Sequence, residues 1–177
     1  MASFCPTNKL SRIFSSQTRR EMEKNELTFP QTLVDLGCGI VGVSTNLLAR
    51  EFPSARAVYG VDLSPYYLDY AVRKPPIVCI RRDMTDTRYC SNSADLVSIS
   101  FVLHELPLVA ITSVLAECRR ILTPGRVLAV MDMSSNTRAT DTFMQKHLDR
   151  TEPHMQDYIE FCAYRNDVLF EAGFEVP

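Results

Sequence analysis

The chain has 177 residues, of which 46% are hydrophobic, and its formal net charge at pH 7 is −2. This length and composition suffice for one domain with its own hydrophobic core, and the near-neutral charge lacks the basic field typical of nucleic-acid-binding proteins. No apolar run reaches the roughly 20 residues of a membrane-spanning helix. We therefore expect a soluble, cytoplasmic protein that binds neither nucleic acid nor a membrane.

Residues 1–28 form a lead that differs from the rest of the chain. Its first twenty residues contain four basic side chains and no acid, and they are rich in serine and threonine. This composition resembles an organellar transit peptide. The alternative is a mobile or helical N-terminal segment. Residues 29–177 are predicted to form a single α/β domain.

The most informative segment is 33–45, an apolar run that ends in an acid and three closely spaced glycines. It predicts a strand that turns sharply into a helix over 44–50, because glycine permits positive φ and close approach of a ligand to the backbone. The unpaired N–H groups at the start of that helix favour a nucleotide. The acid and the glycines are Asp35, Gly37, Gly39 and Gly42.

Further strands and helices alternate along the chain. A second strand ends in Asp62, and Ser64 and Pro65 are typical of the N-cap and first residue of a helix over 66–73. The remaining predicted strands are 77–82, 94–103 and 126–133, and the remaining predicted helices are 108–122, 141–150 and 157–172. This order predicts an α/β fold.

An acid followed by x-G-x-G at the end of a first strand resembles motif I of class I S-adenosylmethionine-dependent methyltransferases. The resemblance extends to Asp62, to Asp83-Met84 after the third strand, and to the Leu122-Thr123-Pro124-Gly125 turn. The pattern is most similar to the methyltransferase type 11 group. Two departures are an expanded loop at Ile40-Val41 and Arg126, which stands where a second glycine is usual.

The resemblance implies a Rossmann-like doubly wound sheet that binds S-adenosylmethionine at the carboxyl ends of its strands. Asp62 would accept hydrogen bonds from the ribose hydroxyls, Asp83 and the Met84 N–H would meet the adenine, and Asp35 would orient the methionine end. The predicted cofactor-binding residues are Asp35, Gly37, Cys38, Gly39, Gly42, Asp62, Leu63, Asp83, Met84 and Phe101.

His104 and Glu105 directly follow the fourth strand. They are the candidate catalytic residues that orient or deprotonate a small-molecule acceptor, although His104 could instead cap the turn and Glu105 could be solvated. The six cysteines contain no C-x-x-C pair, which favours reduced thiols. We expect no bound metal, because His147 and His154 have no third ligand at metal spacing.

Two other functions stay open at this stage. The glycines alone also fit the G-x-G-x-x-G fingerprint of a nicotinamide-dependent oxidoreductase, and a catalytically silent binding protein could retain the fold. Strands six and seven of the family are largely missing from the sequence, which ends shortly after Ala172-Gly173-Phe174. An unpaired fifth strand predicts self-association through its open edge.

Overall fold

The computed structural model describes residues 6–39, 43–70, 77–133 and 152–175. Within them, five strands form one parallel sheet in the order β3-β2-β1-β4-β5. The strands are β1 (Thr32–Leu36), β2 (Ala57–Asp62), β3 (Ile77–Arg81), β4 (Ala94–Ser100) and β5 (Leu122–Met131). The helices are α1 (Pro6–Lys24), α2 (Val43–Glu51), α3 (Pro65–Tyr70), α4 (Leu108–Ile121), α5 (Met155–Ala163) and α6 (Arg165–Glu171).

The sheet confirms the predicted α/β fold and its first five strands. β1 pairs with β2 on one side and with β4 on the other, so the strand order reverses between β1 and β4. In open parallel sheets, ligands bind at the carboxyl ends of the strands where the order reverses. In the part of the chain that the structure describes, no sixth or seventh strand joins the sheet.

Hydrophobic side chains cover both faces of the sheet, as expected for buried parallel strands. Successive residues of β1 point to opposite faces: Leu33 packs with α1 and α2, and Val34 packs with α4 and α5. The two cores therefore meet back to back across the strands, and their packing fixes the positions of the strand ends.

Helix α1 occupies most of the predicted N-terminal lead and packs on the domain. Phe14 and Met22 are 7% and 1% exposed and belong to the same core as Leu33, and Arg19 Nη1 donates a hydrogen bond to the carbonyl of Glu51 at 2.8 Å. A targeting role for the first twenty residues and the boundary near residue 28 stay predictions.

Three predicted elements differ most from the structure. β4 ends at Ser100 rather than at residue 103, because Phe101 takes a positive φ of 56° and turns the chain out of the sheet. β5 begins at Leu122 rather than at residue 126. The predicted turn at 122–125 therefore lies within the strand, where the pairing with β4 shifts register between Ala94 and Leu96. The predicted helix 157–172 is two helices, α5 and α6, that meet at Tyr164.

Two predicted features fall wholly or partly outside the described residues. The helix over 141–150 lies outside them, and so do residues 71–73 of the helix predicted after β2.

Arg126, which replaces a second glycine in the turn, forms an ion pair with Asp95 at 3.2 Å and donates to the carbonyl of Thr28 at 3.0 Å. Its guanidinium therefore ties β5 to the segment before β1.

We predict that Met22→Ala lowers the free energy of unfolding by about 2–5 kcal/mol, because it leaves a cavity in the core between α1 and the sheet. Ile13→Ala is the matched control, since Ile13 lies on the same helix and is 42% exposed; its effect should stay within about 0.5 kcal/mol. Urea denaturation measures both. Equal, small effects would show that α1 does not contribute to the stability of the domain.

Candidate active site

The turn after β1, which we call the glycine loop (Gly37, Cys38 and Gly39), lies against the end of β2. The backbone N–H groups of Gly37 and Cys38 both donate to the carbonyl of Val61, at 2.8 and 3.1 Å. Gly37 and Gly39 have φ values of 73° and 67°, which L side chains rarely adopt. Gly42, also predicted to bind the cofactor, lies outside the described residues.

The two described glycines of the loop serve different purposes. A Cβ atom on Gly37 would lie 2.3 Å from Cγ2 of Val102, so this position has no room for a side chain. A Cβ atom on Gly39 would meet nothing within 4 Å. The backbone at Gly39 therefore faces open space, where a ligand can approach it closely.

The carboxylate of Asp62, at the end of β2, joins the glycine loop to the start of α3. Its Oδ2 accepts from the N–H of Gly39 at 2.9 Å, and its Oδ1 accepts from the N–H of Ser64 at 2.9 Å. An ionised carboxylate offers about four acceptor positions. The carboxylate of Asp62 therefore has two acceptor positions left, one on each oxygen, and the two hydroxyls of a ribose would require two.

Asp35 is fully buried, and three hydroxyl groups surround its carboxylate. Ser44 and Thr45 of α2 each donate to Oδ2 at 2.6 Å, and Ser98 of β4 donates to Oδ1 at 2.5 Å. Burial raises the pKa of Asp35, and the hydrogen bonds from the three hydroxyls oppose this shift. In this structure Asp35 fixes the start of α2, and its predicted contact with the methionine end stays a prediction.

The residues predicted to bind adenine lie beside the ends of β2 and β3. Asp83 Oδ1 accepts from the N–H and the hydroxyl of Thr85 at 2.8 and 2.7 Å, so the carboxylate forms a local turn. Met84 packs partly buried against the core, whereas Leu63 is 61% exposed. An exposed leucine next to Asp62 provides an apolar surface for a planar ring.

A second group of polar contacts lies at the ends of β4 and β5. The chain leaves β4 through Phe101, whose N–H donates to the carbonyl of Met131 at 2.8 Å. Asp132 follows β5, and its Oδ2 accepts hydrogen bonds from the three backbone N–H groups that come after Phe101. These donors are Val102 at 3.2 Å, Leu103 at 2.8 Å and His104 at 3.4 Å.

Asp132 also binds the side chain of His104, which is only 7% exposed. Oδ1 of Asp132 lies 2.5 Å from His104 Nδ1, and Oε2 of Glu152 lies 3.8 Å from Nε2. Burial alone would lower the pKa of His104, but the hydrogen bond and charge of Asp132, with Glu152 and Glu105, outweigh it and raise the pKa. The ring of Tyr158 meets the imidazole edge-on.

The described residues among those predicted for the cofactor and for catalysis lie at or just after the carboxyl ends of β1, β2, β3 and β4. Glu105 is exposed next to His104. Sequence reasoning missed Asp132 and Glu152. Asp132 had a usable signal, since it directly follows β5, much as Asp62 is the last residue of β2. Glu152 had none, because only the packing of α5 brings the chain back to His104.

The described part of the chain contains neither a candidate metal cluster nor a candidate membrane-spanning helix. Across residues 6–39, 43–70, 77–133 and 152–175, no group of three or more His, Cys, Asp or Glu side chains is arranged to hold a metal ion. None of the helices in this part of the chain is long and apolar enough to cross a membrane.

A family model described as "Methyltransferase domain", type 11, matches residues 34–130, more than half of the chain. The chain therefore belongs to this family of class I methyltransferases, as the resemblance predicted. The matched segment begins in β1 and ends in β5, so it contains the glycine loop, Asp62, His104 and the turn after β4.

Individual proteins agree with this assignment. A trans-aconitate 2-methyltransferase of Methylobacterium nodulans is 39% identical over 104 residues, which are 59% of this chain and 39% of that protein. A 2-phytyl-1,4-naphtoquinone methyltransferase of Trichormus variabilis is 30% identical over 126 residues, which are 67% of this chain and 54% of that protein. The chain thus spans about half or less of the length of these two relatives.

The fold also matches a solved structure. A SAM-dependent methyltransferase from Aquifex aeolicus superposes with a TM-score of 0.66 at 21% sequence identity, and the match covers 97% of this chain and 88% of that chain. At this identity the match shows the fold, which is Rossmann-like.

We predict that Gly37→Ala destabilises the domain more than Gly39→Ala. Both variants place a side chain at positive φ, which costs about 1–2 kcal/mol, but only Gly37→Ala drives a methyl group into Val102. Urea denaturation gives the two free energies. In a double-mutant cycle, Val102→Ala should recover part of the loss caused by Gly37→Ala. Strict additivity would show that the loop and the turn after β4 are not in this contact.

Proposed function

We propose that the protein transfers a methyl group from S-adenosylmethionine to a small-molecule acceptor. The observation that carries this proposal is the position of the Asp62 carboxylate, which accepts a hydrogen bond from the N–H of Gly39 in the glycine loop. The chain that contains this contact belongs to a methyltransferase family. S-adenosylmethionine supplies an electrophilic methyl group on a sulfonium, so that holding the acceptor in line provides much of the acceleration.

The residues present fit such a cofactor. Asp62 would accept from the two ribose hydroxyls, and the bare backbone at Gly39 would admit the amino-acid end. Gly37, Cys38 and Gly42 would complete the loop around it. Asp83, the Met84 N–H and the exposed face of Leu63 would meet the adenine, and Phe101 would place an aromatic face near the sulfonium.

His104 is proposed as the proton acceptor for the methyl-accepting group, with Glu105 beside it. A carboxylate on Nδ1 keeps the proton of a neutral imidazole on that nitrogen and leaves Nε2 to accept another. Asp132 provides this carboxylate. The raised pKa makes the neutral imidazole a stronger base.

The negative charges around His104 favour a methyl acceptor that carries no negative charge of its own. Three carboxylates raise the pKa of the imidazole: Asp132, Glu152 and Glu105. Such a surface disfavours a tricarboxylate such as the one named for the Methylobacterium relative and favours a neutral acceptor such as a hydroxylated ring. The methyl acceptor is therefore best sought among uncharged small molecules.

The alternatives are less well supported. A nicotinamide-dependent oxidoreductase would share the glycine loop, but the matching family and the relatives above are methyltransferases. A catalytically silent binding protein would bind S-adenosylmethionine without transferring its methyl group. Cytoplasmic localisation and self-association through β5 stay predictions.

We predict that Asp62→Asn weakens S-adenosylmethionine binding at least tenfold, because a hydrogen bond to a charged group contributes about 1.5–3 kcal/mol. Isothermal titration calorimetry measures the dissociation constant. Asp69→Asn is the matched control, since Asp69 is an exposed acid on the neighbouring α3. Unchanged affinity in Asp62→Asn, or preference of the wild type for NAD, would reject the cofactor assignment.

We predict that Asp132→Asn lowers the pKa of His104, which NMR of the imidazole can follow. The interaction with Asp132 favours the charged imidazole in the folded state. Its contribution to the free energy of unfolding is therefore complete below the ordinary histidine pKa of about 6.5 and is lost as the pH rises through the raised pKa of His104. The variant should therefore lose about 1.5–3 kcal/mol at pH 6 and less at pH 9. Asp86→Asn, an exposed acid, is the control. A loss that does not depend on pH would contradict this account.

A further inference from the structure

A row of paired residues crosses the sheet beneath the start of α2. Gly60 in β2 pairs with Asp35 of β1 on one side and with Cys79 of β3 on the other. Because Gly60 has no side chain, Cys38 of the glycine loop folds into the space above it. A Cβ atom at Gly60 would lie 3.0 Å from Cys38 Sγ and 3.2 Å from Cys38 Cβ.

This arrangement brings two thiols together. The thiol of Cys38 lies over Gly60, and Cys79 is the residue paired with Gly60 on β3, so the two cysteines are neighbours although 41 positions separate them in the chain. Cys38 is 5% exposed, and Cys79 is partly exposed on the edge strand β3. Burial raises the pKa of the Cys38 thiol, and the nearby Asp35, Cys79 and Asp62 add to this effect. Cys79 is therefore the more accessible of the two sulfurs.

We propose that Cys38 and Cys79 form a modification site, a thiol pair that a peroxide oxidises to an intramolecular disulfide. The Cys79 sulfur attacks one peroxide oxygen and breaks the O–O bond, which gives a sulfenic acid and one water. The Cys38 sulfur then attacks the Cys79 sulfur, the S–O bond breaks, and a second water leaves with the thiol proton. Overall, two thiols are oxidised by two electrons and one hydrogen peroxide is reduced to two waters.

Closing this bond requires the glycine loop to move. Sulfurs in a disulfide lie about 2.05 Å apart, closer than two thiols that merely pack against each other, so the bond draws Cys38 towards β3. Gly37 and Gly39 flank Cys38 and give the backbone the freedom to do so. The shift disturbs the hydrogen bonds of Cys38 to Val61 and of Gly39 to Asp62. Oxidation therefore acts on the loop and the acid assigned to the cofactor, and this consequence rests on the proposed function.

The first experiment maps the disulfide without using any ligand. The full chain is treated with hydrogen peroxide, the remaining thiols are alkylated, and tryptic peptides are analysed by mass spectrometry. Cys38 and Cys79 fall in the tryptic peptides 25–50 and 74–81, which contain one cysteine each. We expect these two peptides joined, lighter by two hydrogen atoms, and separated again by dithiothreitol. Oxidation of the exposed Cys90 with peptides 25–50 and 74–81 unjoined would overturn the proposal.

The second experiment measures S-adenosylmethionine affinity before and after oxidation. We expect oxidised wild type to bind about tenfold more weakly, the equivalent of one lost hydrogen bond, and to recover on reduction. Cys79→Ser should keep its affinity in peroxide, whereas the matched control Cys90→Ser should lose affinity as the wild type does. Joined peptides with unchanged affinity would overturn the effect on the loop. Absence of binding by the reduced wild type would reject the proposed function and leave the peptide result standing.

Discussion

The buried carboxylate of Asp35 is the interaction on which the rest of the site depends. Its two oxygens bind hydroxyls from Ser44 and Thr45 in α2 and from Ser98 in β4. A buried carboxylate without such donors would be strongly destabilising, so the strand, its neighbour and the start of the helix have to meet at this point. The direction in which the chain leaves β1, and hence the position of the glycine loop, follows from it.

The two halves of the site are built against each other. Val102, just after β4, fills the space beside Gly37, so the glycine loop and the turn that carries His104 share one contact. The turn requires Phe101 at positive φ, a conformation that costs about 1–3 kcal/mol for a residue other than glycine. The three backbone N–H groups bound by Asp132 offset that cost and hold the turn against the end of β5.

The alternation of strands and helices, the glycine loop and Asp62 could all be predicted, because each is encoded by a short stretch of sequence. The apolar run before Asp35 makes β1, and glycine at positions 37 and 39 makes the sharp turn. The ends of β4 and β5 could not be placed to the residue. They depend on Phe101 and on the register of β5 opposite Ala94 and Leu96, which are settled by contacts between distant segments.

The sequence by itself determined the order of the elements and the residue types at the strand ends, since local periodicity and turn chemistry act over a few residues. Only the tertiary structure decided which side chains face one another. It buried Asp35 among hydroxyls, paired Asp132 with His104 across 28 positions, and placed Cys38 beside Cys79 in the gap left by Gly60. The physical reason is that sheet register and packing of both faces, which no local pattern contains, set these distances.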